Sequence, residues 1–338
     1  MHYNSYNNLR NNGNMTIQEL LVKNLKVSFS TSEKELVAVR GISYQLNKGE
    51  TLALVGESGC GKTVSALSIL RLIEDPPGKV MSGEIFFDNK DLLKLTKKEL
   101  QAYRGKDIAM VFQDAMTSLN PVLTIGEQII ETLLRHTSLS HNEAKEKTLK
   151  LLEQVEIPSP QEKLDQYPHQ LSGGMRQRVM IAMALSCSPR ILIADEPTTA
   201  LDVLIQGQIL DLLKKIKDET QMSILLITHD LGVVAEIAKR VMVMYAGEII
   251  ESGPVKDLFR SPLHPYTIGL MKSIPRLNPT QEKLSKLDEI PGVVPSLAQT
   301  PSGCPFHPRC PSVETRCKTE KPKLKAIKDE YHVSCWLH

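Results

Sequence analysis

The sequence has no long apolar run. Its longest apolar stretches, such as Val179 to Leu185, are far shorter than the roughly 20 residues that a membrane-spanning helix needs. They fit buried helices or core strands instead. The N-terminus is polar and rich in Asn, so it also lacks the apolar segment of a secretory signal. We therefore expect a cytosolic chain. If it serves a membrane, it does so by docking onto other chains.

The chain also lacks a strong charge of either sign. Its 41 Lys and Arg residues nearly balance 39 Asp and Glu residues, which leaves a formal net charge of +2. Such a balance does not call for a polyanionic partner, so we expect no nucleic acid to bind. The sequence shows no internal repeats and no coiled-coil heptads. Its 338 residues suggest about two domains.

The order of the predicted elements indicates the fold class. Apolar strand-like runs alternate with helical segments: Thr51–Val55 precedes a helix over Lys62–Ile73, and Ile191–Ala194 precedes a helix at Val203. Further strand-like runs lie at Leu25–Phe29 and Ser223–Thr228. This alternation predicts an α/β fold with a mainly parallel sheet covered by helices. A helical block at about residues 114–188 interrupts the alternation, which indicates an insertion into the sheet.

Two segments fall outside this alternation. Residues 1–14 carry no periodicity, so we expect them to be disordered or non-native, with Met15 as an alternative start. From about Ser261 onward, frequent prolines break regular structure. They predict an appended, loop-rich C-terminal region at 263–338.

Residues 56–63 form a complete phosphate-binding loop. They fit the pattern G-x-x-x-x-G-K-[ST] and stand between a predicted strand and a predicted helix, the context that confirms such a match. Backbone amides of such a loop wrap phosphate oxygens, helped by the helix N-terminus. The lysine would pair with the β- and γ-phosphates, and the threonine would ligate Mg²⁺. The predicted nucleotide-binding residues are Gly56, Glu57, Ser58, Gly59, Cys60, Gly61, Lys62 and Thr63.

Two carboxylates close an apolar strand further along the chain. Asp195 can hold Mg²⁺, which prefers oxygen ligands, and Glu196 points elsewhere and can polarise an attacking water. An acidic pair at a strand end is commonly only a turn. Downstream of a phosphate loop, the pair indicates hydrolysis of the bound nucleotide.

The string L-S-G-G-M-R-Q-R at residues 171–178 is the most specific in the sequence. Ser172 stands where a helix would start, and Gly173 and Gly174 expose the amides of its first turn. Such a start is a ready anion site. Because the phosphate loop already holds one nucleotide, these amides would serve another.

In this order, the three strings resemble the ATP-binding cassette (ABC) family over residues 17 to about 262. The resemblance implies a P-loop NTPase with a RecA-like parallel core sheet, an antiparallel β subdomain and an inserted α-helical subdomain, within a domain at 15–262. It also implies that two cassettes pair head to tail, so that Ser172 reaches the γ-phosphate held by the partner. Because Ser172 and Glu196 are both intact, we expect an active ATPase that uses ATP and Mg²⁺.

The same resemblance assigns roles to four more residues. Gln113 would sense Mg²⁺ and the attacking water, and His229 would contact the γ-phosphate. Asp202 would lie in the loop that crosses the dimer interface. Phe29 is the candidate for stacking on adenine, with Tyr44 as its competitor.

Four of the six cysteines crowd the last 35 residues, and their spacing lacks the C-x2-C of common zinc sites. In a cytosolic chain a disulfide framework is not expected. Four thiolates can still hold zinc or an iron–sulfur cluster. The segments around His264 and residues 303–310 resemble the C-terminal extension of oligopeptide and dipeptide importer cassettes, some of which carry a [4Fe–4S] cluster. The alternative is a docking surface with reduced thiols; the residues are Cys304, Cys310, Cys317 and Cys335.

These resemblances predict the ATPase subunit of a peptide importer at the cytoplasmic face of the inner or plasma membrane. Its expected partners are a second, paralogous cassette, two transmembrane permeases and, indirectly, an extracytoplasmic peptide-binding protein. Import of nickel or another small solute is an alternative, because specificity lies in the other subunits. A non-transport cassette that acts on nucleic acid is a further alternative, although the chain has no second cassette, coiled-coil insertion or C-x2-C zinc module.

Overall fold

The computed structural model describes residues 17–32, 34–199, 201–273, 290–296 and 299–338. The expectations for residues 1–14 and for a start at Met15 lie outside the described residues. Within the described ranges, no helix combines the length and the apolar character needed to cross a membrane.

Strands and helices are numbered here in chain order. The strands are β1 (Gln18–Ser30), β2 (Glu35–Asn47), β3 (Thr51–Val55), β4 (Gly78–Phe87), β5 (Lys90–Asp91), β6 (Ile108–Val111), β7 (Ile191–Asp195), β8 (Ser223–Thr228), β9 (Arg240–Tyr245), β10 (Glu248–Pro254), β11 (Lys325–Lys328) and β12 (Tyr331–Val333). The helices are α1 (Lys62–Ile69), α2 (Lys97–Gln101), α3 (Ala115–Ser118), α4 (Ile125–His136), α5 (His141–Gln154), α6 (Pro160–Lys163), α7 (Gly173–Leu185), α8 (Val203–Thr220), α9 (Leu231–Ile237), α10 (Val255–Arg260) and α11 (Pro265–Lys272).

The larger of two sheets has the order β11-β12-β10-β9-β3-β8-β7-β6. Its strands β9, β3, β8, β7 and β6 are parallel. Strands β3, β7 and β8 are buried along their whole length, which explains why they read as continuous apolar runs. The smaller sheet, β2-β1-β4-β5, is antiparallel. The predicted α/β fold, with a parallel core sheet and an antiparallel β part, is confirmed.

The helices α3 to α7 lie between β6 and β7, so they form the expected helical insertion. Capping boxes start α4 at Thr124 and α5 at Ser140. Each hydroxyl accepts a hydrogen bond from the amide of the Glu three residues later, and the carboxylate of that Glu accepts one from the amide of the capping residue. The apolar faces of α4, α5 and α7 share one core with α8 and with strands β6 to β8. The insertion is thereby fixed to the sheet edge that carries β6.

The described residues of the C-terminal extension include regular structure despite the prolines. Strand β12 pairs antiparallel with β10, and β11 pairs with β12, so the extension continues the large sheet. The buried carboxylate of Glu251 on β10 joins it to the cassette. This carboxylate accepts hydrogen bonds from the amides of Leu263 (2.7 Å) and His264 (3.0 Å) and from the Tyr331 hydroxyl (2.6 Å). Burial and the Glu251 carboxylate raise the pKa of Tyr331.

Tyr331→Phe should lower the free energy of unfolding by about 1.5–3 kcal/mol, because the buried Glu251 carboxylate loses a donor and gains no water in return. Chemical denaturation measures the change. The matched control is Tyr103→Phe, since the Tyr103 hydroxyl accepts from Lys90 at the surface (3.1 Å). The control should shift stability by less than about 0.5 kcal/mol. Equal effects of the two changes would contradict the role given to Glu251.

Candidate functional site

The predicted phosphate-binding and catalytic residues follow strands that end at one edge of the parallel sheet. Val55 at the end of β3 pairs with Thr228 of β8, and Asp195 at the end of β7 pairs with Ile227. The phosphate loop, the acidic pair and His229 therefore leave the sheet side by side. This is the edge where open α/β sheets bind ligands.

The phosphate loop connects β3 to α1. Gly61 has φ +105°, and a Cβ there would lie 2.5 Å from the carbonyl oxygen of Ala38, so only glycine fits. The Lys62 ammonium donates to the carbonyl oxygens of Gly56 (2.8 Å) and Glu57 (3.1 Å). Cys60 is buried beneath the loop, and this burial raises the pKa of its thiol. The loop thus holds its lysine close to its own backbone.

Thr63 and Asp195 supply two oxygens at the start of α1. The Thr63 hydroxyl donates to the Asp195 carboxylate at 3.2 Å. Burial, and then the nearby Glu196, raise the pKa of Asp195 to about 6, against the lowering effects of Thr63 and Lys62. A hydroxyl and a carboxylate oxygen are ligands that Mg²⁺ prefers, so these residues fit the predicted cation.

The Glu196 carboxylate gathers the other predicted catalytic residues. Its Oε2 accepts hydrogen bonds from Gln113 Nε2 (2.9 Å) and from the Thr199 hydroxyl (2.9 Å). Its Oε1 lies 3.2 Å from Nδ1 of His229. The backbone of Glu196 has φ +46°, which turns the side chain away from the line of β7. The structure therefore brings together three residues that are far apart in sequence. It adds Thr199, which no motif indicates and whose only distinction in the sequence is its place after the acidic pair.

The string at 171–178 lies elsewhere. Ser172 caps α7 by accepting from the Met175 amide (3.3 Å), and Asp202 caps α8 by accepting from the Ile205 amide (2.9 Å). The two helix starts touch, since a Cβ on Gly174 would lie 2.9 Å from an Ile205 methyl group. Ser172, Gly173 and Asp202 are exposed. Among the described residues, no hydrogen bond or ion pair joins this string to the phosphate loop.

Comparison with known proteins identifies the family of this chain. Residues 39–199 match the model of the family described as ABC transporter, and residues 250–317 match the one described as oligopeptide/dipeptide transporter, C-terminal region. The chain is 54% identical over 318 residues to the dipeptide transport ATP-binding protein DppD of Bacillus subtilis (strain 168), which covers 94% of each chain. It is 50% identical to the oligopeptide transport ATP-binding protein OppD of the same organism, over 94% of this chain and 88% of that one.

Solved structures agree with these relatives. A dimeric post-hydrolysis structure of the ATP-binding cassette MJ0796, bound to ADP and Pi, superposes with a TM-score of 0.64 at 30% identity. The match covers 70% of this chain and 98% of that one. The chain belongs to the ABC transporter family. Its resemblance to that family is confirmed, and it is an ABC ATPase for which ATP and Mg²⁺ are the expected cofactors.

The structure separates the two aromatic candidates for adenine in this cassette. Phe29 lies at the end of β1 opposite Gly78 and is half-buried. Tyr44 on β2 is buried in the core beneath the small sheet, and burial raises its pKa. Phe29 therefore keeps part of its ring available, whereas Tyr44 does not.

The C-terminal cysteines of the cassette chain converge. Cys304, Cys310, Cys317 and Cys335 line one small cavity, and none of them forms a disulfide. Burial raises the pKa of Cys304 to about 11. Over the ranges that the structure describes, no group of three or more His, Cys, Asp or Glu side chains is arranged so that it could hold a metal ion. The four thiols share a cavity without forming a single-ion site.

Two residues of the extension reach the phosphate loop. The Glu57 amide donates to the Tyr266 hydroxyl (2.8 Å), and the Glu57 carboxylate accepts from both terminal nitrogens of Arg309 (2.7 and 3.0 Å). Arg309 belongs to the segment 303–310 that resembles the family's extension, but it lies 252 residues from its partner, so no local pattern indicates this contact. Tyr266 belongs to a recognised string of the extension, but the string did not indicate this contact.

Glu196→Gln should leave ATP binding intact and lower ATP turnover by about 10²- to 10⁴-fold, the usual contribution of a general base. The amide keeps the shape that Gln113 and Thr199 contact but cannot take a proton from water. ATP binding and phosphate release are the measurements, and a closed dimer should accumulate with ATP. Glu236→Gln, an exposed carboxylate on α9, is the control and should behave as the wild type. Near-normal hydrolysis by Glu196→Gln would show that another group activates the water.

Proposed function

We propose that this chain is the ATPase subunit that powers import of oligopeptides or dipeptides, docked on permeases at the cytoplasmic face of the membrane. The observation that carries the proposal is the extension. The aligned region shared with DppD covers 94% of both chains at 54% identity. Residues 250–317 match a region that is described for oligopeptide/dipeptide transporters. A relative that shared only the ATPase core would give no such indication of the solute. We divide the chain accordingly into a cassette at 15–262 and an extension at 263–338.

Within this proposal, the residues at the sheet edge have distinct tasks. Lys62 and the loop amides bind the ATP phosphates, and Thr63 and Asp195 would hold Mg²⁺, which neutralises phosphate charge when bound. Glu196 takes the proton of the attacking water, and Gln113 and His229 hold its carboxylate from two sides. Phe29 stacks on adenine.

The proposal includes a second cassette. Next to Asp202, the side chains of Val203 and Leu204 are 83% and 80% exposed, an apolar pair that a monomer leaves in water. Pairing would cover them and place Ser172, Gly173 and Gly174 against the nucleotide of the partner. We propose a paralogue as the partner, in line with the pairing expected of oligopeptide-type importers.

ATP would then drive transport by shifting the equilibrium between the open and the closed pair of cassettes. Nucleotide held between two cassettes favours the closed dimer, and hydrolysis removes that preference. The permeases would follow the cassettes between inward-facing and outward-facing states, and an extracytoplasmic peptide-binding protein would deliver the solute.

Replacing the native copy by Glu196→Gln should abolish uptake of labelled dipeptides or oligopeptides and leave uptake of a free amino acid unchanged. The tagged chain, purified from detergent-solubilised membranes, should carry two permeases and a second cassette of different sequence. Loss of nickel uptake alone would overturn the peptide assignment in favour of the small-solute alternative. Two copies of this chain in the complex would overturn the heterodimer.

We further propose that the cysteine cavity holds a [4Fe–4S] cluster. The supporting observation is that four free thiols line one cavity, whose other lining residues include Phe306 and two histidines, His264 and His307. A cluster takes one thiolate at each of four irons, so its ligands need not meet at a single ion. Cys304, Cys310, Cys317 and Cys335 would be the ligands, and the bound cluster would tie the segments of the extension together.

Protein purified without oxygen should contain about four irons per chain, as a cluster with four cysteine ligands requires. Cys310→Ser should lose the iron, whereas Cys187→Ser, at the end of α7, should keep it. Elemental and acid-labile sulfide analysis measure both. One zinc per chain would replace the cluster with the zinc alternative, and metal-free protein with full ATPase activity would favour reduced, structural thiols.

A further inference from the structure

The C-terminal extension binds the phosphate loop at Glu57 through hydrogen bonds. Arg309 approaches this residue with both terminal nitrogens, at 2.7 and 3.0 Å from the two carboxylate oxygens. The Tyr266 hydroxyl accepts from the amide of the same residue at 2.8 Å. Side chain and backbone of Glu57 are therefore both held from outside the cassette core.

Arg309 itself is held firmly. Its side chain is 4% exposed, and its Nε donates to the carbonyl oxygen of Pro291 at 3.0 Å. The guanidinium also lies over the rings of Tyr245 and Phe306, at 5.9 Å from each centroid. Hydrogen bonding to Glu57 raises the pKa of Arg309, so it remains charged. A bidentate pair in this setting fixes geometry as well as charge.

The hydrogen bonds at Glu57 continue to the phosphate-binding lysine. The carbonyl oxygen of Glu57 accepts from Lys62 Nζ at 3.1 Å, so one residue links Arg309 to the lysine. The next residues of the loop, Ser58 and Gly59, are exposed, and a Cβ on Gly59 would touch nothing within 4 Å. Because this part of the loop has little packing of its own, an external restraint reduces the ordering that ATP binding must impose.

Arg309 is placed by the cysteine cavity. It ends the turn His307–Arg309, which stands between Cys304 and Cys310. The Arg309 amide donates to the carbonyl oxygen of Phe306 at 3.0 Å, so its backbone follows the fold of this turn. The position of the guanidinium is therefore tied to the segment that carries Cys304 and Cys310.

We propose that Arg309 is a positioning residue for ATP binding, through which the cysteine-bearing extension holds the phosphate loop in its binding shape. The proposal rests on the role of residues 56–63 as the ATP phosphate loop. It does not depend on the transported solute or on a metal at the cysteines.

Arg309→Gln should raise the Kd for ATP about tenfold and leave the maximal turnover at saturating ATP within about twofold. Equilibrium nucleotide binding and the dependence of ATPase rate on ATP concentration separate these quantities. Arg309→Lys, which keeps the charge but not the fork, should recover part of the affinity. The matched control is Lys321→Gln, which breaks another ion pair of the extension, to Glu248 of β10 (2.6 Å), away from the loop. It should bind ATP as the wild type does.

Equal ATP affinity in Arg309→Gln and Lys321→Gln would overturn the proposal. If Arg309→Gln does not fold, Tyr266→Phe tests the same restraint of the extension on Glu57 without a change in charge. This substitution removes only the acceptor for the Glu57 amide. Weaker ATP binding by Tyr266→Phe supports the proposal, and wild-type binding overturns it. Lys62→Ala separates the two levels: if it still binds ATP normally, the loop assignment itself fails.

Discussion

The register of the parallel strands is the constraint on which the rest of the site depends. Hydrogen bonds pair Val55 with Thr228, Asp195 with Ile227 and Val111 with Ala194, so four strands stop in one row. Side chains alternate along a strand, and a slip of one residue would point Asp195 to the other face of the sheet. The Thr63–Asp195 contact and the cluster of groups on Glu196 are consequences of this row. The core on either face holds the register by burying every residue of β3, β7 and β8.

This constraint also explains how much could be predicted from the sequence. A strand buried on both faces reads as an unbroken apolar run, and the predicted bounds of β3 and β8 are those of the structure. Strands with one exposed face have a weaker pattern: the sequence predicts a strand at Leu25–Phe29, whereas pairing extends β1 to Gln18–Ser30. The helix after the phosphate loop is predicted to end at Ile73, because its apolar pattern continues into the following turn. In the structure it ends at Ile69.

Contacts between distant segments could not be predicted in the same way. Each loop of the site carries a local string, but the meeting of Gln113, Glu196 and His229 depends on the strand order, which only a family resemblance supplied. The resemblance of residues 303–310 includes Arg309 but does not indicate its partner, and one guanidinium among 41 basic residues has no periodicity that points to Glu57. The pairing of β12 with β10 was hidden for a related reason, since strands of three residues leave almost no pattern.

The phosphate loop and the string at 171–178 lie apart within one chain, which bears on the symmetry of the proposed pair. In a head-to-tail pair, Lys62 and Glu196 of this chain would belong to one ATP, whereas Ser172 and Asp202 would belong to the other. A pair of identical chains would have two equivalent sites, so each substitution would damage both. With a paralogous partner the sites would differ, and Arg309 of the extension contacts Glu57 of this chain's own phosphate loop. The extension would then act on one of two ATP sites, and the pair would respond to it asymmetrically even if both sites hydrolyse ATP.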